Sequence, residues 1–324
     1  MIGLFGTSVE EHIGKENKLR KLEELIDWNR IRIVLKDVHG ELGRGGYDVV
    51  MMFKCLLLQS WHSLSDKGLE EAIRVRLDFL QFTGLSVGDK LPDHTTFCRF
   101  RNKLVEQGKY EVLLSEINRQ LEEHEIKVKN ADTAIVDATI ISSAARPSKS
   151  IEVDENNNEI TTTYSADSDA KWKKKGNKYH FGYQTFARCD KEGFIDKTHT
   201  TPANEGETKY LDVITNGLPK NCRVHADKGF FSAKNKNMLK QKGLKSGIMY
   251  KAFRNKPLDK NMKSFNRLIS KNRFRIEQSF GTIKRRFSFH RASYFSTHKV
   301  SAQFTLKAIC LNLLKATNKV HLCS

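Results

Sequence analysis

Apolar residues in the first part of the chain recur at intervals of three and four, in runs such as 47–59 and 69–82, and this spacing predicts helices. No alternating strand pattern competes with them up to about residue 130. Gly84 stands where a helix C-cap is expected, and Pro92-Asp93 opens the next helix. Along that helix Phe97, Phe100 and Leu104 face inward while Arg99, Arg101 and Lys103 face elsewhere. The arrangement is compatible with a helix-turn-helix whose basic face meets DNA, although short helices with basic outer faces are common.

Past residue 130 the texture changes. Residues 133–141 form a short, apolar, β-branched run of the kind found in a buried central strand, with Asp137 in its middle. Residues 146–178 turn polar and read as a loop or insertion, after which 179–188 and 194–200 read as two strands joined by a hairpin turn at 190–193. A helix at 206–216, a strand at 222–226, a helix at 232–242 and a strand at 245–250 then alternate, which predicts an α/β domain. The segment 270–287 places Ile276, Phe280, Ile283 and Phe287 on one side of a helix, and a last helix over 299–316 sets Phe304, Ala308, Leu311 and Leu314 on one face. The expected organisation is an all-helical region over 1–130 followed by an α/β region over 131–324.

Composition narrows the class of partner. With 324 residues and 39% hydrophobic content the chain can bury a sizeable core. Lys and Arg number 56 against 38 Asp and Glu, a formal charge of +18 that favours a polyanion, nucleic acid foremost. The run 49–58 is too short to span a bilayer and is interrupted by Lys54, and no basic amphipathic anchor or secretory leader is evident, so membranes are set aside and a cytoplasmic location is expected. Cys55, Cys98, Cys189, Cys222, Cys310 and Cys323 show no CxxC pair and no zinc-site spacing, which suggests reduced, mostly buried thiols.

Candidate chemistry lies in three acids. Arg273, Glu277 and Lys284, spaced i, i+4 and i+11, stack two cations around one carboxylate on a stripe beside the apolar one. The plainer reading is a solvated face with an ordinary ion pair. Asp137 sits inside an apolar strand, where an unpaired carboxylate would lose heavily in desolvation, unless it is a strand-end residue capping a turn. Asp227 follows the strand at 222–226, at the end where open α/β sheets build sites, or else is simply a turn Asp before Gly229. Three carboxylates brought together without a cation would repel by about 4 kcal/mol per pair at about 4 Å and an effective dielectric of about 20, so convergence would imply bound metal. All-oxygen ligands favour two Mg²⁺ ions, with Mn²⁺ able to substitute, in the arrangement that serves in-line attack at a phosphodiester.

The order Asp137, Asp227, Glu277, the block Arg223-Val224-His225-Ala226-Asp227-Lys228-Gly229-Phe230 and the Arg273-x3-Glu277-x6-Lys284 helix resemble the DDE transposases of bacterial insertion sequences, most closely the insertion sequence five group. Residues 164–172, 200–204 and 291–294 carry further similarity, and the resemblance runs from about residue 47 to the end. It implies a ribonuclease H-like catalytic core, a mixed sheet flanked by helices, behind a helical DNA-binding region. It also implies that Asp137, Asp227 and Glu277 hold the metals and that Arg273 and Lys284 contact double-stranded DNA; Lys228, next to Asp227, and Arg285, next to Lys284, are expected at the DNA as well. Pairing two DNA ends in this family implies a homodimer on the DNA. One departure is Ser270, which stands where the tyrosine–arginine–glutamate–lysine motif has its tyrosine, so no step of that tyrosine is carried over.

The activity this implies is cleavage at the element's terminal repeats and joining of the 3′-OH ends to target DNA. A nuclease of the same fold without strand joining, or an inactive relative that only binds DNA as a repressor, would share many of the same features. Trp172, amid Lys171, Lys173 and Lys174, can stack on an unpaired base or pack under its own loop.

Overall fold

The computed structural model describes residues 12–14, 16–39, 46–129, 132–147, 149–154, 159–164 and 166–320. It divides into two compact units: one takes the described residues up to Lys129 together with those from Thr305 onward, and the other takes those between Asn130 and Phe304.

The first unit is helical: α1 (Lys18–Leu25), α2 (Trp28–Leu35), α3 (Val49–His62), α4 (Asp66–Val75), α5 (Leu77–Thr83), α6 (His94–Glu106) and α7 (Lys109–Glu123). Caps set the boundaries. Asp48, Ser65 and Asp93 accept hydrogen bonds from Met51, Gly68 and Thr96, and Gly84, at a φ of 74°, closes α5 in the left-handed conformation that its missing Cβ permits. α3 is buried on every side, so its interrupting Lys54 lies inside; both Glu23 oxygens accept from Nζ at 2.7 Å and the ammonium lies 4.4 Å from the Trp28 ring centroid. The run expected as one helix over 69–82 is two. At Arg76 the backbone is extended, the N–H still bonds back to Ala72 O, and the guanidinium turns forward to Asp78 at 2.6 and 3.0 Å in the first turn of α5. No Gly or Pro marks that break; the local ion pair at the new helix start does.

The second unit is built on a six-stranded mixed sheet with the order β4-β5-β1-β7-β8, and β6 also pairs with β5. Its strands are β1 (Thr133–Ser142), β4 (Lys171–Lys175), β5 (Lys178–Cys189), β6 (Ile195–Pro202), β7 (Arg223–Ala226) and β8 (Lys245–Ile248). β1 runs antiparallel to β5 and parallel to β7, with Ile135 opposite both Cys189 and His225, and β7 is parallel to β8. A separate hairpin pairs β2 (Lys149–Asp154) with β3 (Glu159–Tyr164). The polar stretch 146–178 is therefore not simply loop, because its threonines and branched apolar residues satisfy backbone groups by strand pairing that a polarity count conceals; residues 155–158 lie outside those described.

Alternation then assigns the faces. Ala134, Val136, Phe186, Val224 and Ala226 point to one side, into a core shared with α8 (Leu211–Thr215) and α9 (Ala233–Gln241) through Leu211, Ile214 and Leu239. The opposite side receives α10 (Lys260–Arg286), which packs on β1, β7 and β5. Ile269, Ile276, Phe280 and Ile283 are buried along α10, each worth about 1.5–3 kcal/mol by transfer from water. The final helix, α11 (Thr297–Lys319), belongs to the helical unit from Thr305 onward and is buried around its whole circumference over 304–314 rather than along one face. This is the expected ribonuclease H-like arrangement, a mixed sheet between helices, following a helical N-terminal region in the sequence. The five described cysteines form no disulfide, and all but Cys98 are buried; Cys323 lies outside the described residues. Among the described residues no helix is long and apolar enough to cross a membrane.

Candidate active site

Three elements of the sheet unit converge at one point. Asp137 leaves β1 on the α10 side, Asp227 follows the last residue of β7 before a short turn over Lys228–Phe230, and α10 presents Arg273 and Glu277 one turn apart. The helix is held in register from outside the cluster: Asn266 accepts from the Tyr250 N–H at 2.8 Å and donates to Tyr250 O at 3.0 Å, which clamps α10 to the exit of β8.

The guanidinium of Arg273 is buried among the three carboxylates. Its Nη2 donates to Asp137 Oδ2 at 2.7 Å and stands 3.7 Å from Glu277 Oε1, while Nη1 lies 3.3 Å from Asp227 Oδ1 and 3.7 Å from the Met249 sulfur. Arg273 Nε, also buried, has no hydrogen-bond partner in the described structure. Exposure rises across the set, from 15% for the Asp137 side chain to 32% for Asp227 and 58% for Glu277. Burial pushes the Asp137 carboxyl up to about 6 and the nearby Asp227 adds to the rise, although Arg273 and the Ala138 N–H, which donates to Oδ1 at 2.8 Å, both favour its charged form.

Among the described residues no three His, Cys, Asp or Glu side chains gather closely enough to hold a metal by themselves. The acids meet at the guanidinium instead of at one another. Their chemistry as donors, three hard carboxylates still short of positive charge, nevertheless suits Mg²⁺ or Mn²⁺.

The cations expected at DNA divide in two. Arg273 is buried on the acids, so its first partner is the cluster and not solvent. Arg101 does not face outward as expected: it is buried, and its two terminal nitrogens meet Asp66 at 2.7 and 2.8 Å, because the inner side of α6 needs a partner for the carboxylate at the start of α4. Lys284 is half-buried and donates to Ile140 O at 3.1 Å, with its ammonium lowered below its ordinary value by burial and then by Lys175. Arg99, Lys228 and Arg285 are exposed, Lys103 is half-buried, and Trp172 is about half exposed. Sequence reading missed Asn266 and Met249. Asn266 was within reach, since it lies two turns before Arg273 on the same stripe of α10.

Comparison with known proteins identifies the family. The chain matches a family described as "Transposase DDE domain" over residues 129–313, and another described as "Transposase domain (DUF772)" over 7–103. It is 49% identical over 227 residues, 69% of this chain and 78% of the relative, to the transposase for insertion sequence element IS1106 of Neisseria meningitidis serogroup B. Among solved structures, the cryo-EM structure of a piggyBac transposase synaptic complex with hairpin DNA aligns with a TM-score of 0.44 and 10% identity over 92% of this chain and 72% of that one, a likeness too distant to bear on chemistry. With one family model covering more than half of its length and a relative of nearly half identity, this chain belongs to the DDE transposases and is a transposase of an insertion sequence element.

Proposed function

We propose that the chain binds the terminal inverted repeats of its own element, cleaves DNA at those ends and joins the freed 3′-OH to target DNA, as a member of the insertion sequence five group. The observation that carries this reading is the convergence of Asp137, Asp227 and Glu277, from three separate elements, on the single guanidinium of Arg273. A structural ion pair needs one carboxylate, and three leave a net negative site that a divalent cation can satisfy.

Asp137, Asp227 and Glu277 would hold the metal ions once the Arg273 guanidinium yields its place. Bound there, the cations would neutralise charge at the scissile phosphate and make water a better nucleophile. The residues of the chain do the positioning. β1 and the end of β7 fix two acids against each other by their shared register, and α10 brings the third on a helix pinned by Asn266. In the first step a water oxygen bonds to phosphorus, the bond to the 3′ oxygen breaks, and that oxygen leaves as a hydroxyl. In the second the hydroxyl attacks a target phosphodiester and displaces its bridging oxygen. Arg273, when released, and Lys284 would meet DNA phosphates, with Lys228 and Arg285 at the exposed rim and Arg99 and Lys103 of α6 on the DNA ends. Two copies acting on paired ends, in the cytoplasm of a bacterium, complete the reading.

The test is incubation of wild type and Asp137→Ala with DNA carrying the element's own terminal repeats, in Mg²⁺ or EDTA, scoring nicked and joined products. Cleavage and joining should need both metal and Asp137 and fall about a thousandfold or more in the variant, while end binding stays within about twofold. End binding by wild type with neither product would leave a repressor, and cleavage without joining would leave a nuclease.

A further inference from the structure

The stretch from Lys171 to Phe181 folds as a two-stranded ribbon at the margin of the main sheet. β4 pairs with the first residues of β5, from Lys171 opposite Gly182 to Lys175 opposite Lys178, and Gly176 and Asn177 make the turn. Gly182 marks the root of the ribbon. A Cβ there would lie 2.2 Å from Ile141 O and 2.6 Å from Ser143 N, so only glycine lets β5 pass so close to the end of β1.

Alternation sorts the ribbon into two faces. One carries Trp172 opposite Phe181, ring centroids 5.3 Å apart, and Lys174 opposite Tyr179, with Nζ 5.4 Å from the ring centroid. Phe181 is buried beneath Trp172, but 48% of Trp172 and 65% of Tyr179 remain exposed, so packing accounts for only part of this face. The other face and the turn carry Lys173, Lys175 and Lys178. Among the described residues Lys174, Lys175 and Lys178 have no carboxylate within ion-pairing distance. By register the odd-numbered residues of β5 share a side of the sheet with Asp137, which pairs with Ala187. Phe181 is six positions along β5 from Ala187, about 20 Å at about 3.3 Å per residue.

We infer that this ribbon is a stacking platform for unpaired bases of DNA whose backbone also reaches the carboxylate cluster. Exposed rings bordered by unpaired lysines fit a single strand, which offers base faces to stack on and phosphates to neutralise. A duplex fits poorly, because its base faces are closed within the stack and the rings offer few groups to read base edges. The inference rests on the proposed function only in taking the polyanion to be DNA.

The experiment uses the full chain in EDTA, with a fluorescein-labelled strand of about 12 thymidines and a blunt duplex of similar length, both read by anisotropy. Trp172→Ala should weaken single-strand binding about tenfold and leave duplex binding within about twofold. Tyr179→Ala, at an exposed position, should act the same way with about half that effect on a logarithmic scale, and it keeps the test sound if Trp172→Ala fails to fold. Trp172→Phe should retain single-strand affinity within about threefold and abolish the strand-induced change in tryptophan emission, since the other two tryptophans lie elsewhere in the chain. Unchanged single-strand affinity in Trp172→Ala and Tyr179→Ala, equal losses on both DNAs, or no single-strand binding by wild type would overturn the inference. Binding is read in EDTA, whereas cleavage and joining are scored separately in Mg²⁺, so a failure of cleavage chemistry and a failure of the platform are read in different assays.

Discussion

Two buried arginines, one in each unit, show how the same residue type serves stability in one place and chemistry in another. Arg101 in the helical unit meets one carboxylate with both terminal nitrogens, and Asp66 accepts also from Gln59 at 2.6 Å. Burial pushes the Asp66 carboxyl upward, but the hydrogen bonds and charge of its partners hold it below its ordinary value. Arg273 in the sheet unit meets three carboxylates, at 2.7, 3.3 and 3.7 Å, with Nε unpartnered, and Asp137 stays pushed up to about 6. The first pair is complete. The second is short of positive charge by design of its neighbours, and a deficit of that kind marks a site prepared for another cation.

The sharpest way to break the comparison is to remove the cation that completes a pair. Arg101→Ala should destabilise the protein by about 3–5 kcal/mol in urea unfolding, since Asp66 is then left uncompensated, whereas Arg101→Met with Asp66→Leu should recover most of the loss. A cost below about 1 kcal/mol for the single change would mean that Asp66 finds water or another donor easily, and the contrast would collapse. A smaller effect is expected at Lys307, a buried cation in the helical unit whose Nζ donates to the neutral carbonyl of Ser60 at 2.7 Å. Burial lowers its ammonium to about 8. A lysine depressed in the folded state contributes stability that is present above its unfolded value near 10.5 and lost as pH falls through 8. Lys307→Met should therefore stabilise the protein at pH 7 by about 3 kcal/mol, less the lost hydrogen bond, and the gain should fade as pH rises toward 10.5. A gain that does not change with pH would point to packing instead.

Much of the fold was legible because local periodicity and burial agreed. The strand around Asp137, the Glu277 helix with Ile276, Phe280 and Ile283 inward, and the caps at Asp93 and Gly84 all follow from pattern and turn chemistry. The misreadings of Arg101 and Arg273 share a cause, which is that the partner lay far away in sequence. Arg101 looks like an outward cation until Asp66, 35 residues earlier, is seen beneath it. Arg273 likewise reads as a surface residue until β1, 136 positions away, brings Asp137 to it. The strands at β2 to β4 were obscured by their polarity, and the break at Arg76 by the absence of any Gly or Pro. In the site, Asp137 could be named from its anomalous place inside an apolar strand, whereas Asp227 and Glu277, which also read as a turn Asp and a solvated ion pair, are singled out by their order and spacing together with the family resemblance. The meeting of the three acids at a guanidinium could not be named, because it depends on the distance between a helix and a sheet.

The remaining predictions sharpen the comparison on the side of the deficient site. If Arg273 holds the place of another cation, Arg273→Ala should gain more stability from Mg²⁺ than wild type does, up to about 2.7 kcal/mol at about 100 times the dissociation constant, while Arg101→Ala should show no such gain. Thermal melts with Mg²⁺ and with EDTA measure this without any DNA; equal shifts in Arg273→Ala and wild type would mean that the guanidinium and the metal do not compete. Lys284 gives the smallest effect. Its Nζ caps the Ile140 carbonyl at 3.1 Å, and burial together with Lys175 already disfavours its charge. A phosphate arriving there would restore the value of that charge. Lys284→Ala should thus reduce the slope of log affinity against log salt by about one and weaken end binding less than tenfold at moderate salt. A slope left unchanged would make Lys284 a strand-end cap that never leaves Ile140, and Arg273 would then be the only cation of α10's acidic stripe available to DNA.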